Sequence, residues 1–110
     1  MDRIEMLKKA LEKDPNNPLG LYGLANEYLK QENYEEAAKL LEKYLSLHED
    51  QGAGYRALAK CYVNLGKLED AIKTYEKGIE QATKFKHSSM KKEFQQEIEI
   101  LKMKLKENKN

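Results

Sequence analysis

Two histidines, one cysteine and three pairs of adjacent acids are the residues of this chain whose types could do chemistry. His48 and His87 stand 39 residues apart, and neither has a second His or Cys at helical spacing, so the sequence offers no zinc-like ligand set. Cys61 is the single cysteine and cannot form an internal disulfide. Its place in a helix beside Tyr62 reads as a buried or half-buried small hydrophobe and not as a reactive thiol. Adjacent carboxylates could divide general acid and base work between them. Glu35-Glu36 and Glu69-Asp70, however, open predicted helices, where negative charge favours the positive end of the helix dipole. Glu49-Asp50 is the third pair. With no glycine-rich phosphate loop and no nucleophile elbow, the expectation is a protein that is not an enzyme and takes no cofactor and no metal. What remains is recognition, and the elements that would carry it repeat.

Slid along by 34 residues, the chain resembles itself. Gly20, Leu24, Ala25, Tyr28, Glu35, Ala37, Lys39, Glu42 and Lys43 fall on Gly54, Leu58, Ala59, Tyr62, Glu69, Ala71, Lys73, Glu76 and Lys77, nine identities in one register. A period of this length means repeated supersecondary units that bury their apolar faces on their neighbours. Small residues alternate with large ones, as they must where two helices cross closely.

Helical periodicity fills in the elements. Ile4, Leu7 and Leu11 make one face of a helix over residues 2 to 13, which stops at Asp14 because the residue before Pro15 disfavours helical dihedrals. Helices follow over about 19 to 31, with Pro18 suited to the first turn, and over about 34 to 47. Gly52 and Gly54 start the fourth helix from about Ala53, and Asn64-Leu65-Gly66 closes it, with Gly66 able to take the left-handed conformation. At the matching place in the first unit stands Glu32, and the adjacent Asn33 is the expected left-handed residue. Leu68, Ile72, Tyr75, Ile79 and Ala82 stripe a fifth helix to about Lys84. The stretch 85 to 89 breaks the pattern, with Ser88 or Ser89 available to cap the sixth helix. There Met90, Phe94, Ile98, Leu101 and Leu105 form one long apolar face, and Ile100 and Met103 a second partial row.

The repeat resembles the tetratricopeptide repeat (TPR) family. With Pro18 and Gly52 as first positions of two units, the family's large fourth residue is Leu21 and Tyr55, and its Leu-small pair is Leu24-Ala25 and Leu58-Ala59. Its first-helix Tyr is Tyr28 and Tyr62. Its second-helix Ala is Ala37 and Ala71, followed by Leu41 and Tyr75. The second small position is poorly kept, as Tyr44 and Gly78. The proline that closes a unit occurs once, as Pro15, with Glu49 and Thr83 in its place later. The resemblance covers residues 15 to 83. It implies an all-α, right-handed helical-hairpin solenoid of about six antiparallel helices. Within one domain, 1–110, residues 1–17 would be a half-repeat helix, 18–51 and 52–85 the two repeats, and 86–110 a capping helix. Three helical pairs would make a complete stack. Tyr28 and Tyr62 are expected to fill the crossings of their own units, and the last helix to cover a face made by Tyr55, Tyr62, Ile72 and Ile79.

Composition suits this architecture: 40% of residues are hydrophobic, enough for a core, and 35% are charged. No apolar run reaches a membrane span of roughly 18 residues and no signal-peptide stretch opens the chain, so a cytoplasmic location without a membrane partner is expected. Net charge is +1, with +4 carried by residues 84 to 110 and −3 by the rest. Lys alternates with Glu in that basic end, which reads as a solvated face; nucleic-acid arms carry denser basic charge.

In the TPR family, positions 2, 5, 6, 9, 12 and 13 of each unit line a concave groove. The carried-over groove has Tyr22, Asn26 and Lys30 in the first unit, with Leu19, Gly23 and Leu29. In the second unit it has Arg56, Lys60 and Asn64, with Ala53, Ala57 and Val63. Lys30, Arg56 and Lys60 form a basic strip without an acid. An extended peptide bearing acidic residues or a free C-terminal carboxylate would suit it, Asn26 and Asn64 bonding its backbone and Tyr22 stacking on it. Reversing Arg56 and Lys60 should then abolish capture without changing the melting temperature. A chaperone-tail clamp is not implied, because Tyr22 and Ala57 stand where that subset has Lys and Asn. The expected role is a protein-binding adaptor. The alternatives are a structural subunit that self-associates through the C-terminal helix and, third, a nucleic-acid-associated accessory protein.

Overall fold

The computed structural model describes residues 2–108, and every regular element among them is an α-helix. These are α1 (Arg3–Lys13), α2 (Pro18–Lys30), α3 (Tyr34–Leu47), α4 (Ala53–Asn64), α5 (Leu68–Lys84) and α6 (Ser88–Asn108). The chain forms two compact units, Met1–Glu49 and Asp50–Asn110. In the first, α2 packs against α3 and α1 against α2; in the second, α5 packs against both α4 and α6.

Local chemistry explains where the helices begin. Asp2 caps α1 by accepting from the Glu5 amide at 2.8 Å, and Asn17 caps α2 by accepting from Gly20 at 2.9 Å, with Pro18 in the first turn. Before α4, the Asp50 carboxylate accepts from the amides of both Gly52 and Gly54 at 2.8 Å. This acid therefore starts a helix from two residues upstream of the cap position, satisfying donors that the helix cannot bond itself.

Where the first helix of each hairpin ends, the chain repeats one device. Gly66 has a φ of +78° and Glu32 one of +57°, while the following amides reach back, Lys67 to the Tyr62 carbonyl at 2.8 Å and Asn33 to the Tyr28 carbonyl at 2.9 Å. The end of α5 has the same form, with Lys86 at +61° and His87 bonded to the Ala82 carbonyl at 2.7 Å. This is the helix-terminating turn that glycine favours. Asn33, the residue expected to be left-handed, is not. Asn33 keeps a φ of −87° and serves as the N-cap of α3, so its left-handed neighbour is Glu32. Ser88 and Ser89 are likewise not caps: α6 begins at Ser88, and the Lys91 amide bonds the carbonyl of His87.

The first unit buries Leu21, Leu24, Ala25, Ala37, Ala38 and Leu41. α1 buries no residue completely; its Ile4, Leu7 and Leu11 are half-covered. The second unit holds a larger cluster of Ala59, Ala71, Ile72, Tyr75, Phe94, Ile98 and Leu101. Tyr75 and Phe94 are its large rings, 5.2 Å apart and tilted by 48°. The expectation that Tyr28 and Tyr62 fill the crossings is corrected, since both are half-buried and Tyr62 packs at the margin of the cluster. The backbone of α5 comes so near α6 that a Cβ on Gly78 would lie 2.7 Å from the Phe94 ring. Phe94 takes the space a side chain there would occupy. α6 is thus part of the core of its unit, as its apolar stripe predicted, while Ile100 and Met103 stay 47% and 63% exposed.

Candidate functional site

Arg56 lies one turn into α4, and Glu93 immediately precedes the buried Phe94 on α6. Burial of Phe94 therefore sets Glu93 opposite Arg56. The two side chains meet fork to fork, Nε to Oε2 at 2.7 Å and Nη2 to Oε1 at 2.7 Å, and the guanidinium carbon stands 5.5 Å from the Phe94 ring centre. The Arg56 hydrogen bonds are the main cause that holds the Glu93 carboxyl below its ordinary range; partial burial works the other way, and the charges of Arg56 and Lys60 add to the lowering. Both partners remain partly open, with side chains 31% and 39% exposed. Beside them is a depression of about 440 Å³ bordered by Arg56, Glu93, Lys86, His87 and Met90. The His87 ring is held by the Gln51 side chain at 2.8 Å.

The other residues of this face are placed as follows. Lys60 is exposed one turn beyond Arg56. Asn64 is exposed too, but its side-chain nitrogen donates to the Lys60 carbonyl at 2.8 Å, so that group is turned back onto its own helix.

In the first unit, Lys30 donates to Glu27 at 3.0 Å, and Arg3 reaches the same carboxylate oxygen at 3.2 Å. These partners, the Lys30 hydrogen bond first, lower the Glu27 pKa. Tyr22 meets Tyr44 edge to face at 5.2 Å, and Tyr44 in turn leans on the His48 ring at 5.8 Å. Asn26 is half-buried on α2. A cleft of about 530 Å³ opens between α1 and α2, with Leu7, Leu19, Gly20, Tyr22 and Gly23 among its walls.

The basic strip read from the sequence thus has acids on it. Lys30 is matched by Glu27 and Arg56 by Glu93. Neither acid stands at a groove position. Glu27 carried a signal in its i, i+3 spacing to Lys30. Glu93 carried none, because it lies 37 residues from Arg56, on a helix outside the convincing repeats.

Nothing in this arrangement activates a nucleophile. The Cys61 thiol is fully buried, and desolvation pushes it up to about 11, which leaves it protonated at neutral pH. Among the described residues no group of three His, Cys, Asp or Glu side chains could hold a metal ion, and no helix is long and apolar enough to cross a membrane.

Comparison with known proteins agrees with the architecture. The profile of the tetratricopeptide repeat matches residues 4–56 and again 28–91. Among solved structures, a tetratricopeptide repeat domain protein from Salinibacter ruber is 34% identical, with a TM-score of 0.70 over 80% of this chain and 89% of that one. A protein from Bordetella parapertussis, 21% identical, superposes with a TM-score of 0.77 over 94% of this chain and 90% of its own. No curated protein matches.

Proposed function

This chain belongs to the tetratricopeptide repeat family, an all-α architecture of stacked helical hairpins whose general role is protein binding, and we propose that it is an adaptor for an extended, acidic segment of a partner protein. The partner's carboxylate binds at the α4 face, where Arg56 supplies a bidentate fork and Lys60 a second positive charge. One observation carries this reading: Arg56 already grips a carboxylate, that of Glu93, in a geometry half open to solvent. A peptide carboxylate presents the same two oxygens and can take the place of Glu93.

Because the ion pairs are exposed, each contributes roughly 1 kcal/mol or less, and binding is micromolar and salt-sensitive. Selection of peptides from a random displayed library tests the proposal, with the enriched sequences measured against Arg56→Gln. Acidic or carboxylate-terminated winners that lose affinity about fivefold or more on Arg56→Gln support it. Enrichment of basic or wholly apolar peptides, or equal affinity for Arg56→Gln, overturns the acidic preference.

A further inference from the structure

From the side of α6 that faces away from its core we infer that this helix pairs with α6 of a second copy of the chain, antiparallel and about a two-fold axis. Phe94, Ile98 and Leu101 point one way and are buried. The other side carries Gln96, Ile100, Met103 and Glu107 at spacings of four, three and four, the seam of a two-helix coil, and all four are exposed. Ile100 and Met103 are two of the few large hydrophobic side chains that the described residues leave in solvent. A hollow of about 520 Å³ lies on this face, bordered by Lys92, Gln95, Gln96, Glu99 and Ile100. It is the hole into which a side chain of a facing helix would fit as a knob.

A two-fold contact requires a patch that complements itself, and this one does. With the axis midway between residues 101 and 102, Ile100 meets Met103 of the mate and Gln96 meets Glu107. One flank of the seam carries Glu97 and Lys104, the other Glu99 and Lys106. In antiparallel helices each flank faces its own copy, so Glu97 lies across from Lys104 and Glu99 from Lys106, every contact occurring twice. Parallel pairing would instead set Glu107 against Glu107 in the seam. The flanks thus match a second copy, and Glu107 in the seam selects the antiparallel direction. Two apolar layers make a small interface, and the dimer dissociates at a concentration on the order of 100 µM.

Sedimentation equilibrium on the full chain, from about 10 µM to about 1 mM, reads this directly. The mass should rise from monomer toward dimer. Met103→Asp should hold it at monomer, with circular dichroism unchanged because the residue is exposed. Lys106→Glu should weaken association about tenfold, and Glu99→Lys added to it should restore association, since the pair is rebuilt with its signs exchanged. A chain that remains monomeric throughout overturns the inference. So does a dimer that survives Met103→Asp, or one that the second charge exchange fails to rescue.

Discussion

Arg56 and Glu93 stand 37 residues apart in sequence and are joined by two hydrogen bonds of 2.7 Å, so the guanidinium on α4 is already holding an acid of its own chain. This relationship changes what the charge variants should do. Arg56→Glu sets two carboxylates against each other beside Phe94, and it lowers stability by about 1 kcal/mol or somewhat more. Lys60→Glu leaves the melting temperature nearly unchanged. Thermal melts of the two single variants separate these effects, and equal melting temperatures would show that the pair contributes nothing.

The same pair gives stability an acid limb. Glu93 titrates below its ordinary value of 4.5 in the folded chain. Its contribution is therefore complete above that value and is lost as pH falls through the lower, folded one. Glu93→Gln should flatten the loss of stability between about pH 5 and the acid end, measured by urea unfolding at each pH.

At the alkaline end the sign reverses. Burial raises Cys61 from 9.0 to about 11; burial first, then the charges of Glu97 and Glu93, raises Tyr75 from 10.0 to about 12. Each buried acid is held neutral when folded. Their contribution is thus complete below pH 9 and falls as pH rises through 9 to 11 for Cys61 and 10 to 12 for Tyr75. Cys61→Ala should remove the earlier part of that fall. A thiol reagent at neutral pH should label the native chain only at the rate of unfolding.

Phe94→Ala should cost roughly 3 to 5 kcal/mol, because it empties the centre of the second unit against Tyr75 and the backbone at Gly78. Tyr62→Ala, at the margin of that cluster, should cost distinctly less. Chemical denaturation of both variants checks the order, and a larger loss for Tyr62→Ala would contradict the packing.

Glu32 holds a left-handed conformation that costs a non-glycine residue on the order of 1 kcal/mol. Glu32→Gly should raise stability by about 0.5 kcal/mol after the entropy of the added glycine is counted, and Gly66→Val should lower it. Melting temperatures moving in the same direction for both would rule this out.

The sequence reveals what is periodic. The 34-residue repeat, the apolar stripe of α6 and the left-handed turn at Gly66 all depend on residues near one another in the chain. It conceals what tertiary contact decides. Tyr28 and Tyr62 look like core residues because they repeat, yet the largest buried rings are Tyr75 and Phe94, one repeated imperfectly and the other outside the repeat. Glu32 is left-handed because Asn33 is used to cap the next helix, a competition between two local roles that the pair of residue types leaves open. The acids opposite Lys30 and Arg56 come from outside the groove positions, and for Glu93 only the packing of α6 brings it into place.

Titration of a labelled acidic peptide into the chain and into Glu93→Gln, read by fluorescence anisotropy, tests the central claim, that Arg56 on α4 is a carboxylate-receiving site occupied internally by Glu93. Removing the internal competitor should tighten the acidic peptide about fivefold, the equivalent of roughly 1 kcal/mol, while leaving a control peptide with amides in place of its carboxylates unchanged. An acidic peptide that binds both proteins equally, or binds Glu93→Gln more weakly, would contradict it.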